Sequence, residues 1–415
     1  MDNHNSLRRV SRTTGLHEIF KIIRTESQIS RNELAKMVSV SRATMSGIVL
    51  DLIENGILKE CDGDVSTGGR PPKRLSYQPD SRLAVGVVQF DTQLRATVTD
   101  LEGNPLYTIE TPFYAFTPDT MMQAIVDIVN KALQDQPREL VIGVGVGVPG
   151  QVDFSSGTLE SFASKGWRDL GVNIRDYLYK ALDLPIYVIN RSRVAALGEH
   201  RVGIGKGTHN LIYVFIGQGI VAGVINNDNL FLGTKSSAGE IGHVSIIPDG
   251  PLCKCGNQGC LEVYATEAAI LANARALVRE SSRDILYQEL DGKLDLLTID
   301  QLVDAANQGD VPALKVFEDA GAKVGIAVST LINLFNPEIV ILGGPIGSQA
   351  GDLLLRPVIR EAQVRTIPRS FSGTRVVTAT LGTQAATIGA AVLAITQTPI
   401  ESIVSHRGPS LVERV

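Results

Sequence analysis

The 415-residue sequence has no stretch long and apolar enough to span a bilayer. Its longest apolar run, around Leu140 to Pro149, is cut by Gly143, Gly145 and Gly147. That is well short of the roughly 18 consecutive apolar residues a membrane helix needs. The first ten residues, MDNHNSLRRV, contain no apolar segment that could serve as an export signal. These absences predict a soluble cytoplasmic protein with no membrane partner. Cysteine is scarce, and of Cys61, Cys253, Cys255 and Cys260 the last three lie within eight residues. In a reducing compartment such a cluster predicts metal binding rather than disulfides. Compositional extremes are missing too: 44% hydrophobic and 20% charged residues are ordinary for a globular protein and exclude disorder and collagen-like structure. At roughly 100–200 residues per domain, the length predicts two or three domains.

The net charge of −5 conceals an asymmetry. Residues 1–80 hold twelve Lys+Arg against ten Asp+Glu, whereas the other 335 hold 27 against 34. A basic end on an acidic body points to the N-terminal segment as the part that meets a polyanion.

The patterning of that segment agrees. Leu16, Ile19, Phe20 and Ile23 fall at helical spacing within 15–29. Ser30-Arg31-Asn32-Glu33 is a capping box, in which serine and glutamate satisfy each other's orphan backbone donors. After a short turn at Ser39-Val40, Ser41 can cap a third helix carrying Met45, Ile48, Val49, Leu52 and Ile53, which Gly56 stops. Two short helices joined by a tight turn predict a helix-turn-helix, whose second helix enters the major groove. Ser41, Arg42, Thr44 and Ser46 lie off the apolar stripe and suit contacts to bases and phosphates. The usual turn glycine is absent, with Ser39 in its place. Segments 57–60 and 74–77 can pair as a wing. Its tip holds Arg70 and Lys73, and Arg70 in Gly-Arg-Pro suits a narrow minor groove. The alternatives are a three-helix packing or dimerisation module for the helices and a basic interdomain linker for the wing.

From Leu83 the pattern becomes strands alternating with helices, an α/β layout with two lobes around a cleft. Strands are predicted at 85–90, 94–100, 140–148, 186–190, 211–215, 219–226 and 338–342, and helices at 118–134, 192–200, 311–335 and 382–396. His243, Cys253, Cys255 and Cys260 make a Cys₃His donor set suited to tetrahedral Zn²⁺. Four protein ligands close the shell, so the metal is expected to be structural. The other nitrogen of His243 would stay free for a ligand hydroxyl, with Glu240 and Glu262 close by in sequence. Cys61 reads as an ordinary wing or core residue.

Gly239-Glu240-Ile241-Gly242-His243, followed by Cys253-Lys-Cys255-Gly-Asn-Gln-Gly-Cys260-Leu-Glu262, closely resembles the signature of the ROK family of bacterial sugar kinases and sugar-responsive repressors. The resemblance runs from about residue 14 to 396. The N-terminal helices place the chain with the family's transcriptional regulators. The resemblance implies a winged helix-turn-helix over 1–80 and a two-lobed, actin/RNase H-like sugar-kinase-like domain. Its first lobe would cover 81–200 and be completed by about 383–400; its second, with the zinc site, would cover 201–382. Residues 401–415 are left as a tail. Asn190, Glu240, His243 and Glu262 would contact a sugar. The glycines at 145, 147 and 150, 217 and 219, and 343 and 344 match the kinases' nucleotide-cleft loops, although tight turns alone account for such glycines. Trp167, the single tryptophan, is either core or a platform for the sugar.

Two departures argue against catalysis. The kinases end a strand in Asn-Asp and use that aspartate to deprotonate the sugar hydroxyl, whereas here the pair is Asn190-Arg191. Arginine stays protonated and cannot be that base, and losing a positioned base costs on the order of 10²–10⁴-fold in rate. The kinases' Asp-x-Gly-Gly-Thr is replaced by Val88-Gln89-Phe90-Asp91-Thr92, in which Asp91 would repel a triphosphate. Arg191 could instead pair with the phosphate of a sugar phosphate, supported by Arg193. Otherwise it forms a structural salt bridge, for example to Glu199 or Asp153. The reading is a repressor of carbohydrate-utilisation genes, not an enzyme. It would bind a double-stranded operator as a homodimer or dimer of dimers and sense a sugar or sugar phosphate. The alternatives are an active kinase with an appended DNA-binding domain and a repressor controlled by a protein partner.

Overall fold

In the computed structural model, described residues are 16, 18–26, 29–62, 73–114, 117–162, 169–279, 285–291 and 293–404. The N-terminal unit begins with a helix over 18–25 that buries Ile19, Phe20 and Ile23. Ser30 caps the Arg31–Met37 helix: its hydroxyl accepts from the Glu33 amide at 3.3 Å, and the Glu33 carboxylate accepts from the Ser30 amide at 2.8 Å. The Ser30 hydrogen bonds hold the Glu33 carboxyl below its usual range. The turn that follows passes through Ser39 at φ 57°, a left-handed conformation that costs an L side chain energy and that glycine adopts freely. Ser41 then caps Arg42–Glu54, which buries Met45, Ile48, Val49 and Leu52. Strands Leu58–Cys61 and Arg74–Tyr77 pair antiparallel, Leu58 opposite Tyr77, and Ile29–Ser30 adds a third strand on the far edge. The segment holding Arg70 lies outside the described residues.

The rest of the chain builds the same sheet topology twice. Leu83–Gln89, Gln93–Thr99 and Pro105–Pro112 form an antiparallel meander, and Val141–Val148 and then Ile186–Asn190 add in parallel on the other side. In the second sheet Leu211–Ile216, Ile220–Asn226 and Asn229–Phe231 meander, with Ile339–Gly343 and Arg375–Thr378 added in parallel. Two helices pack between the sheets, Arg191–Arg201 and Gln384–Gln397. Parallel strands covered on both faces read as unbroken apolar runs, and every residue of Val141–Val148 is buried.

Glycine sets how closely these helices approach. A Cβ on Gly86 would lie 1.9 Å from the Thr387 carbonyl oxygen, and one on Gly145 1.8 Å from that of Ala390. Between the helices, a Cβ on Gly198 would meet the Ala385 oxygen at 2.1 Å, and one on Gly389 the Val194 oxygen at 1.9 Å. No rotamer relieves a clash with backbone.

The N-terminal unit shares its core with this arrangement. Ile19, Leu34, Met45 and Leu52 belong to one apolar cluster with Ala391, Ala394, Ile395, Ile400 and Ile403. Arg24 pairs with Glu102 at 2.7 Å, and buried Arg82 donates to the Asn55 carbonyl at 3.1 Å. The reading of everything past residue 400 as a tail needs correction. Ile400–Val404 is a helix with Ile400 and Ile403 buried, because the N-terminal unit offers it an apolar surface. Residues 405–415 lie outside the described residues.

Two substitutions test this packing by denaturant unfolding. Gly145→Ala should destabilise by at least about 2 kcal/mol, as overpacking against backbone does. Ser39→Gly should stabilise by about 0.5–1 kcal/mol by relieving the left-handed strain.

Candidate effector cleft and metal centre

His243, Cys253, Cys255 and Cys260 each offer a ligand atom, and all four atoms lie within 4.8 Å of one another. His243 closes a short turn, Ile241–His243, and the thiols come from the loop before the Glu262–Ala265 helix. The Cys255 and Cys260 sulfurs are 3.7 Å apart, and the Cys253 sulfur is 3.8 Å from His243 Nδ1. With zinc–sulfur bonds of about 2.3 Å, the edge of a tetrahedron is about 3.8 Å. The donor set therefore fits a tetrahedral soft-ligand metal in both chemistry and spacing. Burial pushes the Cys260 thiol up to about 12, so a cation is the natural means of holding it as a thiolate. With Nδ1 turned to the cysteines, the other ring nitrogen of His243 is left for a different partner.

A chain of contacts runs from this centre to the end of the first sheet. Glu262 sits 3.9 Å from His243 Nδ1 through one oxygen and accepts from the Ile220 amide at 2.9 Å through the other. Gly219 and Gly242 leave room for it, since a Cβ on Gly242 would come within 2.7 Å of the Glu262 Cγ. Glu240 caps the His243 turn and pairs with Arg193. Arg193 is buried and also donates to the carbonyls of Ser236 and Ala238, both at 2.8 Å. Burial presses its guanidinium below the usual range, and Glu240 counters that. Arg193 thus belongs to the Glu240 loop, and the expectation that it supports a bound phosphate does not hold. Asn190 uses its side chain twice, accepting from the amides of Ser192 and Arg193 and donating to the Gly150 carbonyl at 2.8 Å.

Arg191 is an ion-pair residue, and its partner is neither Glu199 nor Asp153. It donates to the Gln89 carbonyl at 2.9 Å and pairs with Asp91 at 3.0 Å. Glu199 is instead fully buried and accepts from the Thr380 and Leu381 amides, while Asp153 accepts from Ser155 and Ser156. The Asp91 partnership was invisible in sequence, since a hundred residues separate the two and no spacing rule connects them.

In the N-terminal unit, Arg42 is exposed at the start of its helix. Ser41 and Thr44 are committed to each other at 2.8 Å while Ser41 caps the helix. Ser46 is half-buried rather than turned fully outward, and Lys73 pairs with Glu60 at 2.7 Å. Trp167 lies outside the described residues.

Residues 85–397 match the sequence model of the ROK family. The chain belongs to the ROK family. It is 28% identical over 400 residues to a xylose repressor of Caldicellulosiruptor bescii, covering 95% of this chain and 98% of that one. It is 31% identical over 343 residues, 82% of each chain, to the DNA-binding transcriptional dual regulator NagC of Escherichia coli K12. Among solved structures it resembles a ROK family transcriptional regulator described as a homolog of the E. coli MLC protein. That match has a TM-score of 0.81 at 24% identity, over 95% of this chain and 99% of that one. A likeness covering 95% of the chain takes in the N-terminal helices, and this ROK protein is a transcriptional regulator of the repressor type.

The glycines expected at a nucleotide cleft are accounted for by packing in this ROK chain. Besides Gly145, Gly147 faces Val88 and the Arg191 backbone, and Gly150 is at φ 97° against the Ser161 carbonyl. A Cβ on Gly343 would meet the buried Tyr213 hydroxyl at 2.1 Å.

The four-donor cluster predicts that purified protein carries about one tightly bound metal ion per chain by elemental analysis and that Cys260→Ala carries almost none. Chelation should lower stability by at least about 3 kcal/mol in thermal unfolding, because binding at a structural site is linked to folding.

Proposed function

We propose that this protein is a cytoplasmic, homodimeric repressor of carbohydrate-utilisation genes, braced by structural Zn²⁺ at His243, Cys253, Cys255 and Cys260 and released or engaged by a sugar. The observation that carries the reading is the shared core. The N-terminal unit shares one apolar cluster with Gln384–Gln397 and Ile400–Val404, and Gln384–Gln397 packs on the Arg191–Arg201 helix that begins at the cleft. A ligand that prefers one arrangement of the lobes therefore biases the pose of the DNA-binding unit, as any population shift requires. Asn190, Glu240, His243 and Glu262 are the polar groups assigned to the sugar. The xylose and N-acetylglucosamine repressors among the relatives support a small carbohydrate as effector.

At the operator, Arg42 is assigned to direct contact, with Lys73 and Arg70 of the wing on backbone and minor groove. Ser41 and Thr44 shape the helix start, and Ser46 supports it from its half-buried position. Two units related by a two-fold axis would read half-sites about one DNA turn apart. No phosphoryl transfer is expected. The position of the kinases' base is Arg191, and its guanidinium pairs with the residue that replaces a phosphate-loop glycine.

Arg42→Ala should weaken operator binding, measured by fluorescence anisotropy across a salt series. If Arg42 contacts a phosphate, the slope of log affinity against log salt should fall by roughly one unit. An unchanged affinity and slope would remove Arg42 from the interface. Incubation with ATP and a sugar panel should yield no sugar phosphate above background. Turnover would restore the kinase reading. The matching sugar, at a hundred times its Kd, should stabilise the protein by about 2.7 kcal/mol in thermal unfolding.

A further inference from the structure

The turn between the first two strands of the first sheet is held more firmly than a hairpin needs. Its backbone is closed by the Phe90 amide on the Gln93 carbonyl at 2.8 Å and by the Phe113 amide on the Thr92 carbonyl at 2.9 Å. The Arg95 guanidinium lies over the Phe90 ring, 5.2 Å from its centroid, and Arg95 itself donates to Thr383 at 2.7 Å and pairs with Glu110 at 2.7 Å. On the other side Arg191 grips both the Gln89 carbonyl and the Asp91 carboxylate. The turn cannot swing aside without breaking contacts to Arg95 and Arg191 together.

This fastening decides what Arg191 can offer a ligand. Its side chain is 12% exposed, whereas that of Asp91 is 51% exposed. Seen from solvent, this corner therefore presents a carboxylate more than a guanidinium. Arginine recognises phosphate by directing two parallel N–H groups at two oxygens, and each terminal nitrogen of Arg191 already spends one N–H, on the Gln89 carbonyl and on the Asp91 carboxylate. An incoming phosphate that sought the N–H held by Asp91 would have to displace a carboxylate whose turn is pinned, and at any other N–H of Arg191 it would face like charge at close range.

We propose that Asp91 is a specificity-determining residue that makes the sensor selective for neutral sugars over their phosphates. It acts as a built-in anion: it occupies the Arg191 guanidinium next to Asn190, at the end of the proposed cleft, and repels a second anion. The inference rests on the sugar-sensing reading above. It implies that the cleft reports the free sugar, before any kinase has added phosphate to it.

The test is isothermal titration calorimetry on zinc-loaded full-length protein with neutral aldoses and N-acetylhexosamines, each paired with its terminal phosphate. Wild type, Asp91→Asn and Asp91→Ala are compared. Asp91→Asn keeps a hydrogen-bond acceptor for Arg191 and removes only the charge, so it guards against loss of the fold. Wild type should bind one neutral sugar at least tenfold more tightly than its phosphate. Both Asp91 variants should gain at least tenfold in affinity for that phosphate, and adding Arg191→Ala to Asp91→Ala should abolish the gain. Wild type preferring the phosphate, or variants that bind the neutral sugar without gaining phosphate affinity, would overturn the assignment to Asp91 while leaving the sugar sensor intact. If neither wild type nor either variant bound any sugar or phosphate in the panel, the sensing reading itself would fail and this inference with it.

Discussion

The architecture depends on how closely one alanine-rich helix can lie against its surroundings. Gln384–Gln397 touches the first sheet through Gly86 and Gly145 and the neighbouring helix through Gly198 and its own Gly389. At each place a side chain would collide with a carbonyl oxygen. Dispersion attraction falls steeply with separation, so helices that approach this closely gain many short contacts that a bulkier seam would forfeit. The same closeness makes the joint stiff. Interiors are close-packed and transmit displacement rather than absorbing it.

That stiffness gives the cleft a mechanical relation to the DNA-binding unit. The residues proposed to contact the effector are not free side chains waiting for a ligand. Asn190 caps a helix, Arg193 grips the loop of Glu240, and Glu262 is tied to the Ile220 amide. In the proposed reading, a sugar competing for any of these hydrogen bonds would perturb the start of Arg191–Arg201, and that helix meets Gln384–Gln397 through glycine. Arg193 shows the economy of the arrangement. Buried and joined to Glu240 and two carbonyls, it ties the Arg191–Arg201 helix to the loop of Glu240. A buried pair of this kind is costly to break from one side, because the remaining charge has no partner.

Much of this was legible in the sequence where the signal is local. The capping box at Ser30 and Glu33, the Ser41 cap, the Gly56 stop and the paired wing strands all appear as read, because each depends on residues a few positions apart. The long Val311–Phe335 helix follows from its periodicity. The Cys₃His cluster was legible because three of its members are close in sequence. What escaped is non-local or masked by local exceptions. The Asp352–Arg365 helix carries Pro357 in its interior, which argues against a helix until its packing on Val311–Phe335 is seen. The partners of Arg191 and Arg193 lie in other elements, and charge patterning cannot choose among distant acids. The Ile400–Val404 helix is too short to declare itself and forms because an apolar surface awaits it.

That last helix bears on how the molecule is made. A ribosome delivers Ile19, Leu34, Met45 and Leu52 more than three hundred residues before Ile395, Ile400 and Ile403, yet these residues belong to a single apolar cluster. Domains tend to fold as they emerge, so the N-terminal helices are made long before the apolar surface they share with Gln384–Gln397 and Ile400–Val404. A chain cut short before Gln384 would keep a recognisable DNA-binding unit and lose its connection to the cleft. The shared core, and with it any coupling of the N-terminal helices to the proposed cleft, therefore exists only once Gln384–Gln397 and Ile400–Val404 have been made.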